Sequence, residues 1–503
     1  MSVVVEQPPD VAVTHKSMSL RHVSRHWLVY GLGFVANRLV GFLLLPLYTR
    51  YLTPEDYGIK AMVVAGVDMV GIFLSFGLRT AMIRFASDTS GGVRREAVST
   101  ALALFVGVLG GGVTLAVWQS EALSALIFGD AAYAPFLRLG LVTLVFINVF
   151  DACMAYLQLQ QRSGAFSIIS LSTVVVGVSL NLLLVVGSGM GVRGLLYGDL
   201  ITYVIFCVGL LAYTLREVGI TFSPALARQI LRYGAPLLFT PLVWTLINQA
   251  DRLFLTRHVS IGEVGIYSMA IQFSAVLYLA VIQPFANFWE PAQYQIMRDP
   301  GAEKVIRRIS HLVMSILLVA AFGAALVVED VIRLMTATPF WAAANLVPVF
   351  MLAHVTLALC LFIDTGLFVC NWTGYVAAVA AATACLNIVA NAVLVPMGGT
   401  AGAAAARLVT AVGMVGLSWL AARRAWRVPV DLWPLAKATG LAVVLFLVST
   451  YIPRDSLPVV LLLKAMLVAA LVAFVLRPSD WARARALARE FQVRRLSKGV
   501  GTI

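Results

Sequence analysis

Several side chains able to bind or move charge stand inside long apolar runs of this sequence. Arg38 is the twelfth of the 22 residues in Trp27–Tyr48 and follows Asn37. Asp251 and Arg252 adjoin each other near the end of a second apolar run, just after Asn248 and Gln249. Asp68, Asp151 and Asp364 are lone carboxylates in three further runs. A charge at the centre of a bilayer costs about 2.5–3.5 kcal/mol on insertion scales, so it must face a partner or a wet cavity. Guanidinium stays charged and grips phosphate or carboxylate in a fork. Two readings of Arg38 follow: a cavity residue that receives an anion, or a structural pair with Asp68. For Asp251-Arg252 they are a polar wall or gate, and a local pair reaching toward headgroups. The lone carboxylates are either proton or cation sites for coupling or ordinary hydrogen-bonded groups.

Covalent chemistry finds no vehicle. There is no phosphate-binding loop, no GxSxG and no clustered metal ligands, so the sequence implies neither an enzyme nor a cofactor. The five cysteines, Cys153, Cys207, Cys360, Cys370 and Cys385, form no CxxC pair and lie in or beside apolar runs, which argues against a disulfide framework or a zinc site. His354 reads as a satisfied core histidine.

The elements that must hold these charges are membrane-spanning helices. The chain of 503 residues is 60% hydrophobic and 12% charged, against roughly 25% charged residues in an ordinary soluble domain. Apolar runs of about 20 residues match the thickness of a bilayer. They fall near 27–48, 57–79, 97–118, 135–156, 166–187, 194–215, 233–255, 265–287, 309–328, 344–368, 375–396, 402–422, 433–451 and 457–476. The expected class is therefore all-α and polytopic, with about 14 transmembrane helices. Residues 1–26 read as a polar tail, 216–232 as a linker, and 477–503 as a basic tail with the character of an interfacial helix. Short helices on the outer surface are expected at 120–130 and 329–340. Gly31, Gly33, Gly41 and Pro46 in the first span, and Gly234, Pro236 and Pro241 in the seventh, permit bending there.

Net charge is +13. In a membrane protein this reflects the positive-inside rule rather than nucleic-acid binding. With the N-terminus cytoplasmic, inside segments hold 24 Lys and Arg and outside loops only five. Both tails are then cytoplasmic.

A long repeat organises the spans. LYTRYLTPEDYGI (47–59) returns as FLTRHVSIGEVGI (254–266), with Thr49, Arg50, Gly58 and Ile59 matching Thr256, Arg257, Gly265 and Ile266 at an offset of 207. Glu121 matches Glu329, Asn181 matches Asn387, and Thr202 matches Thr410, at 206 to 208. Spans 1–6 (27–215) and 7–12 (233–422) are thus two copies of a six-helix unit. Six is even, so both copies enter from the same side as parallel repeats, with a pathway expected in a central cavity between them. Spans 13–14 (433–476) stand outside the repeat. Asp199 and Arg407 hold matching positions with opposite charge, which raises a salt bridge between the lobes as one arrangement.

LLLPLYTRYLTPEDYGI, SFGLRTAMIRF, INQADRLFLTRHVSIGEVGIYSMA and LNIVANAVLVPMGGTAGAAAARL together resemble the polysaccharide transporter family. That family includes Wzx-type oligosaccharide flippases and belongs to the multidrug/oligosaccharidyl-lipid/polysaccharide exporter superfamily. The resemblance spans roughly residues 21 to 480 and implies a V-shaped pair of six-helix lobes. Its implied cargo is an undecaprenyl-pyrophosphate-linked glycan, moved to the periplasmic leaflet of the bacterial inner membrane for exopolysaccharide, capsule or O-antigen. Membrane lipids, a polysaccharide polymerase and chain-length machinery are the implied partners. On this reading Arg38, Asn37, Asn248, Asp251 and Arg252 meet the anionic cargo, and Asp68, Asp151 and Asp364 serve coupling. In fourteen-span lipid II flippases the extra pair of spans helps form a lipid-tail groove, a role open to spans 13–14. Two alternatives stand beside it: an ion-coupled multidrug exporter of the same superfamily, and a membrane polymerase or ligase. The longest outer loop has about sixteen residues and no clustered His, Asp or Glu, which disfavours the latter.

Overall fold

The computed structural model describes residues 42, 44–87, 91–298, 301–426, 430–452 and 457–475. All regular structure among them is helical. The helices are α1 (Leu45–Tyr51), α2 (Pro54–Ser75), α3 (Leu78–Ser87), α4 (Gly92–Trp118), α5 (Ser120–Phe128), α6 (Ala134–Leu159), α7 (Ser163–Gly187) and α8 (Gly191–Val218). After them come α9 (Pro224–Gly234), α10 (Phe239–Leu255), α11 (Ile261–Ile296), α12 (Ala302–Met335), α13 (Val347–Val369), α14 (Thr373–Ala425), α15 (Leu432–Ser449) and α16 (Leu457–Val475).

Twelve helical stretches among the described residues are long and apolar enough to cross a membrane. One of them, Thr373–Arg424, has 52 residues, roughly 78 Å at 1.5 Å per residue. A hydrocarbon core is about 30 Å thick, so this helix cannot cross once. It breaks at Gly399, whose φ of 53° and ψ of −126° are non-helical, and its two arms answer to spans 11 and 12. The first expected span lies outside the described residues apart from its last turns, as do both tails.

Two expectations about the outer segments meet different fates. Residues 120–128 form the short helix α5, closed by Gly129 at φ 81°. Residues 329–335 instead continue α12 to Met335, because nothing in that stretch interrupts the backbone ladder before Thr336. A 3-10 turn, Thr338–Asn345, follows with Pro339 at its start. In the seventh span the backbone tightens to a 3-10 turn over Ala235–Leu238 before α10 begins. Among the described residues, three spans contain a wider i→i+5 turn, at Phe105–Leu109, Leu182–Gly187 and Tyr278–Ile282.

The repeated corner explains how the halves meet. Thr53 caps α2, accepting from the Asp56 amide at 3.2 Å while the Asp56 carboxylate accepts from the Thr53 amide at 2.9 Å. Ser260 and Glu263 repeat this reciprocal cap on α11, at 3.2 and 3.1 Å. Each cap satisfies two orphan amides and fixes where its helix starts. The two helices then cross. A Cβ on Gly58 would lie 1.9 Å from the Ile261 carbonyl oxygen, and one on Gly265 would lie 1.9 Å from the Pro54 oxygen. Pro54 and Ile261 are themselves related by the offset of 207, so the contact is reciprocal. Small residues let helix backbones approach this closely inside a membrane. The threonines are exchanged in the same way. Thr49 Oγ1 accepts from the Ala337 amide at 3.3 Å, and Thr256 Oγ1 donates to the Ile127 carbonyl at 3.2 Å. Each corner is thereby tied to the other half, one just past α12 and one near the end of α5.

Candidate functional site

Behind the corner, α10 runs beside α2 and both arms of α14, packing on Ala380 and Ala384 of the first and meeting Arg407 of the second, and carries the sequence INQADR. Helical spacing sends its polar groups to two sides. Gln249 faces α2 and donates to Asp68 Oδ2 at 2.9 Å. Gln249 in turn accepts from Arg252 Nη1, and Arg252 Nε donates to Ser268 Oγ at 3.3 Å. This chain of contacts joins the first half to the second, and Asp68 and Asn248 are exposed along it.

The other side of α10 holds a buried pair. Asp251 is 1% exposed. Its Oδ2 lies 3.2 Å from Arg407 Nη2 on α14 and accepts from the Tyr267 hydroxyl at 2.5 Å. Arg407 also donates to the Asn248 carbonyl at 3.1 Å, and its guanidinium stands 5.8 Å from the centre of the Phe350 ring. Two charges taken from water this way need such partners on every side, since one left alone is strongly destabilising.

Of the residues expected to meet an anion, Asn248, Asp251 and Arg252 lie together here, whereas Arg38 and Asn37 lie outside the described residues. The three coupling candidates are scattered. Asp68 belongs to the seam. Asp151 is exposed on α6. Asp364 is buried on α13, with its Oδ1 unpartnered among the described residues. His354 meets Ser274 Oγ at 3.4 Å and tilts against Tyr278, as expected of a core histidine.

The salt bridge between Asp199 and Arg407 does not form. Arg407 is taken by Asp251, while Asp199 lies 3.7 Å from Lys60 and 3.5 Å from Asn181 Nδ2. Each group pairs inside its own half because a neighbouring helix supplies the opposite charge. Tyr267 and Arg407 are central members of the site that sequence reasoning left out or misassigned. The available signal was the occurrence of Arg407 inside an alanine-rich apolar run, which demands a buried anion.

The family described as "Polysaccharide biosynthesis protein" matches residues 47–344, more than half of the chain. No curated protein sequence matches significantly. Among solved structures, the fold is similar to that of the lipid II flippase MurJ in an inward closed conformation. That match has a TM-score of 0.71 and 14% identity, and covers 89% of this chain and 98% of that one. It is also similar to an inward-facing multidrug resistance MATE family transporter of the MOP superfamily, at a TM-score of 0.62 and 12% identity, over 78% of this chain and 94% of that one. At such identities the likeness is one of fold.

Proposed function

The chain belongs to the polysaccharide biosynthesis protein family, and from that premise we propose that it is a flippase for a polyprenyl-pyrophosphate-linked oligosaccharide. The cargo crosses the bacterial cytoplasmic membrane toward the periplasm by alternating access between the halves 27–215 and 233–422. Both tails are cytoplasmic on this reading, and the corners face the periplasm. The observation that carries it is the reciprocal crossing of α2 and α11 at Gly58 and Gly265. There each half sets a glycine against a carbonyl of the other, beside a hydrophobic core that both share through Met62, Val63, Val264 and Tyr267, and such a reciprocal contact is where parallel repeats would rock against each other.

The polar groups behind the crossing supply the chemistry. A pyrophosphate needs guanidinium forks where water is scarce. Arg252 provides one there, with Asn248 as a neutral donor and Asp251 holding the nearby Arg407 in position; Arg38 and Asn37 are the further residues we assign to the cargo. Asp68, Asp151 and Asp364 are the carboxylates through which a cation or proton would couple. Cargo held at the seam would displace Gln249 from Asp68, linking occupancy to the contact between the halves.

Deleting the gene tests this. Surface polysaccharide should disappear while lipid-linked precursor accumulates facing the cytoplasm. Precursor found unpolymerised on the periplasmic face would instead assign the chain to polymerisation, and intact polysaccharide with increased drug sensitivity would assign it to drug export.

A further inference from the structure

Away from the seam, the starts of α6 and α8 enclose a crevice of about 400 Å³ at the corner end of the first half. Two of its lining side chains are guanidiniums, Arg138 and Arg193, in the opening turns of the two helices. Arg138 donates to Ser120 Oγ at 2.6 Å and to Glu121, a well-exposed carboxylate, at 3.1 Å. Arg193 lies over the Phe136 ring, 5.6 Å from its centre, and no carboxylate among the described residues forms an ion pair with it. Below these charges the lining is apolar: Leu139, Val142 and Leu200. Val142 is four residues along its helix from Arg138 and Leu200 seven from Arg193, roughly 6 and 10 Å deeper at 1.5 Å per residue. Tyr197 stands between the two zones, 38% exposed, in the manner of an aromatic side chain at a membrane interface.

We propose that this crevice binds an anionic phospholipid. Its phosphate is held by Arg193 and Arg138, and one acyl chain lies along Leu139, Val142 and Leu200. The positive charge selects an anionic headgroup, since two guanidiniums face one screened carboxylate. The apolar depth selects a lipid over a free anion, because a soluble phosphate would leave that slot without an occupant. Both zones sit at the depths that a phospholipid's own parts take in a bilayer: charge in the opening turns of each span, hydrocarbon further along. The site lies within one half and is independent of the transport reading.

The test is native mass spectrometry of the full chain, released from detergent after mixing with phosphatidylglycerol or with phosphatidylcholine of the same acyl chains. Wild type should retain phosphatidylglycerol several-fold more than phosphatidylcholine. Arg193→Gln should remove that preference. Val142→Phe, which leaves both arginines in place and partly fills the slot, should lower retention of phosphatidylglycerol with the melting temperature unchanged. Millimolar inorganic phosphate should not displace the lipid. Equal retention of the two lipids by wild type, retention unaltered in both variants, or displacement by phosphate would each overturn the proposal.

Discussion

At Asp199 the first half carries an anion and sets it 3.7 Å from Lys60, with both side chains about one-third exposed. At the matching position the second half carries a cation, Arg407, and sets it 3.2 Å from Asp251, with side-chain exposures of 13% and 2%. Lys60 corresponds to Tyr267, and Asp251 to Leu44, at the offset of 207. Yet the copies agree where backbones must approach. Their corners carry the same caps and glycines, and Asn181 and Asn387 both reach polar groups on the returning helix, Asp199 and Thr410. The two halves therefore agree where helix spacing is set and differ at this buried pair. At these matched positions the charges are opposite, and the Asp251–Arg407 pair is sealed from water while the Asp199–Lys60 pair is not.

The largest expected effect comes from breaking the sealed pair. Arg407→Ala leaves the Asp251 carboxylate buried with only neutral donors, a loss of about 3–5 kcal/mol for a buried charge without its partner. Membrane abundance and detergent melting temperature should both fall. Replacing both members by apolar residues, Asp251→Leu with Arg407→Met, should recover abundance, since such pairs contribute little net stability. Transport restored by the double variant would mean that the pair is scaffold alone; transport still absent would mean that Arg407 acts on cargo.

Next comes the corner, where the halves agree. Gly58→Ala with Gly265→Ala places each new Cβ at 1.9 Å from a carbonyl oxygen, so the helices must separate. Overpacking of this kind opposes the closed crossing by about 1–3 kcal/mol. Engineered Glu55→Cys and Gly262→Cys, whose parent residues are neighbours there, should cross-link readily in an otherwise native chain and poorly beside the alanines. Unchanged cross-linking would show that the corner is not held by backbone approach.

Much of this arrangement was legible because periodicity and spacing encode it. Apolar runs located the spans among the described residues, and matched residues at an offset of 207 marked the corner where α2 and α11 cross. The caps of Thr53 with Asp56 and Ser260 with Glu263 lie inside the matched stretches, but the match alone did not identify them as caps. What each charge touches was not readable. Arg407 and Asp199 have equivalent positions, and sequence offers no rule for whether equivalent positions meet. The answer lay in which helices flank them, α10 for one and α2 for the other. The end of α12 was misplaced for a related reason: the hydropathy pattern drops near Glu329, but helices continue until the backbone is broken.

A smaller effect is expected at the link between the halves. Gln249→Leu removes the hydrogen bond to Asp68 but leaves that carboxylate exposed to solvent, so the loss should be about 1 kcal/mol. Melting temperature should move little while transport changes, if cargo competes for this contact. A large stability loss with proportionate loss of transport would make the link structural.

The smallest effect should come from the wet counterpart of the sealed pair. Asp199→Ala removes a carboxylate whose cation stands at 3.7 Å with both groups open to solvent, and exposed pairs contribute about 0–1 kcal/mol. Its other contact, from Asn181 Nδ2 at 3.5 Å, is long for a hydrogen bond. Lys60 loses its partner but is one-third exposed and keeps much of its hydration, unlike Asp251 in the Arg407 variant. Helix spacing is untouched, because Gly198, whose Cβ would lie 2.0 Å from Asn181 Oδ1, still sets the approach of the two helices. Abundance and melting temperature should stay near wild type. A loss as large as that of Arg407→Ala would mean that water does not reach the first half's pair, and that the two halves bury their charges alike.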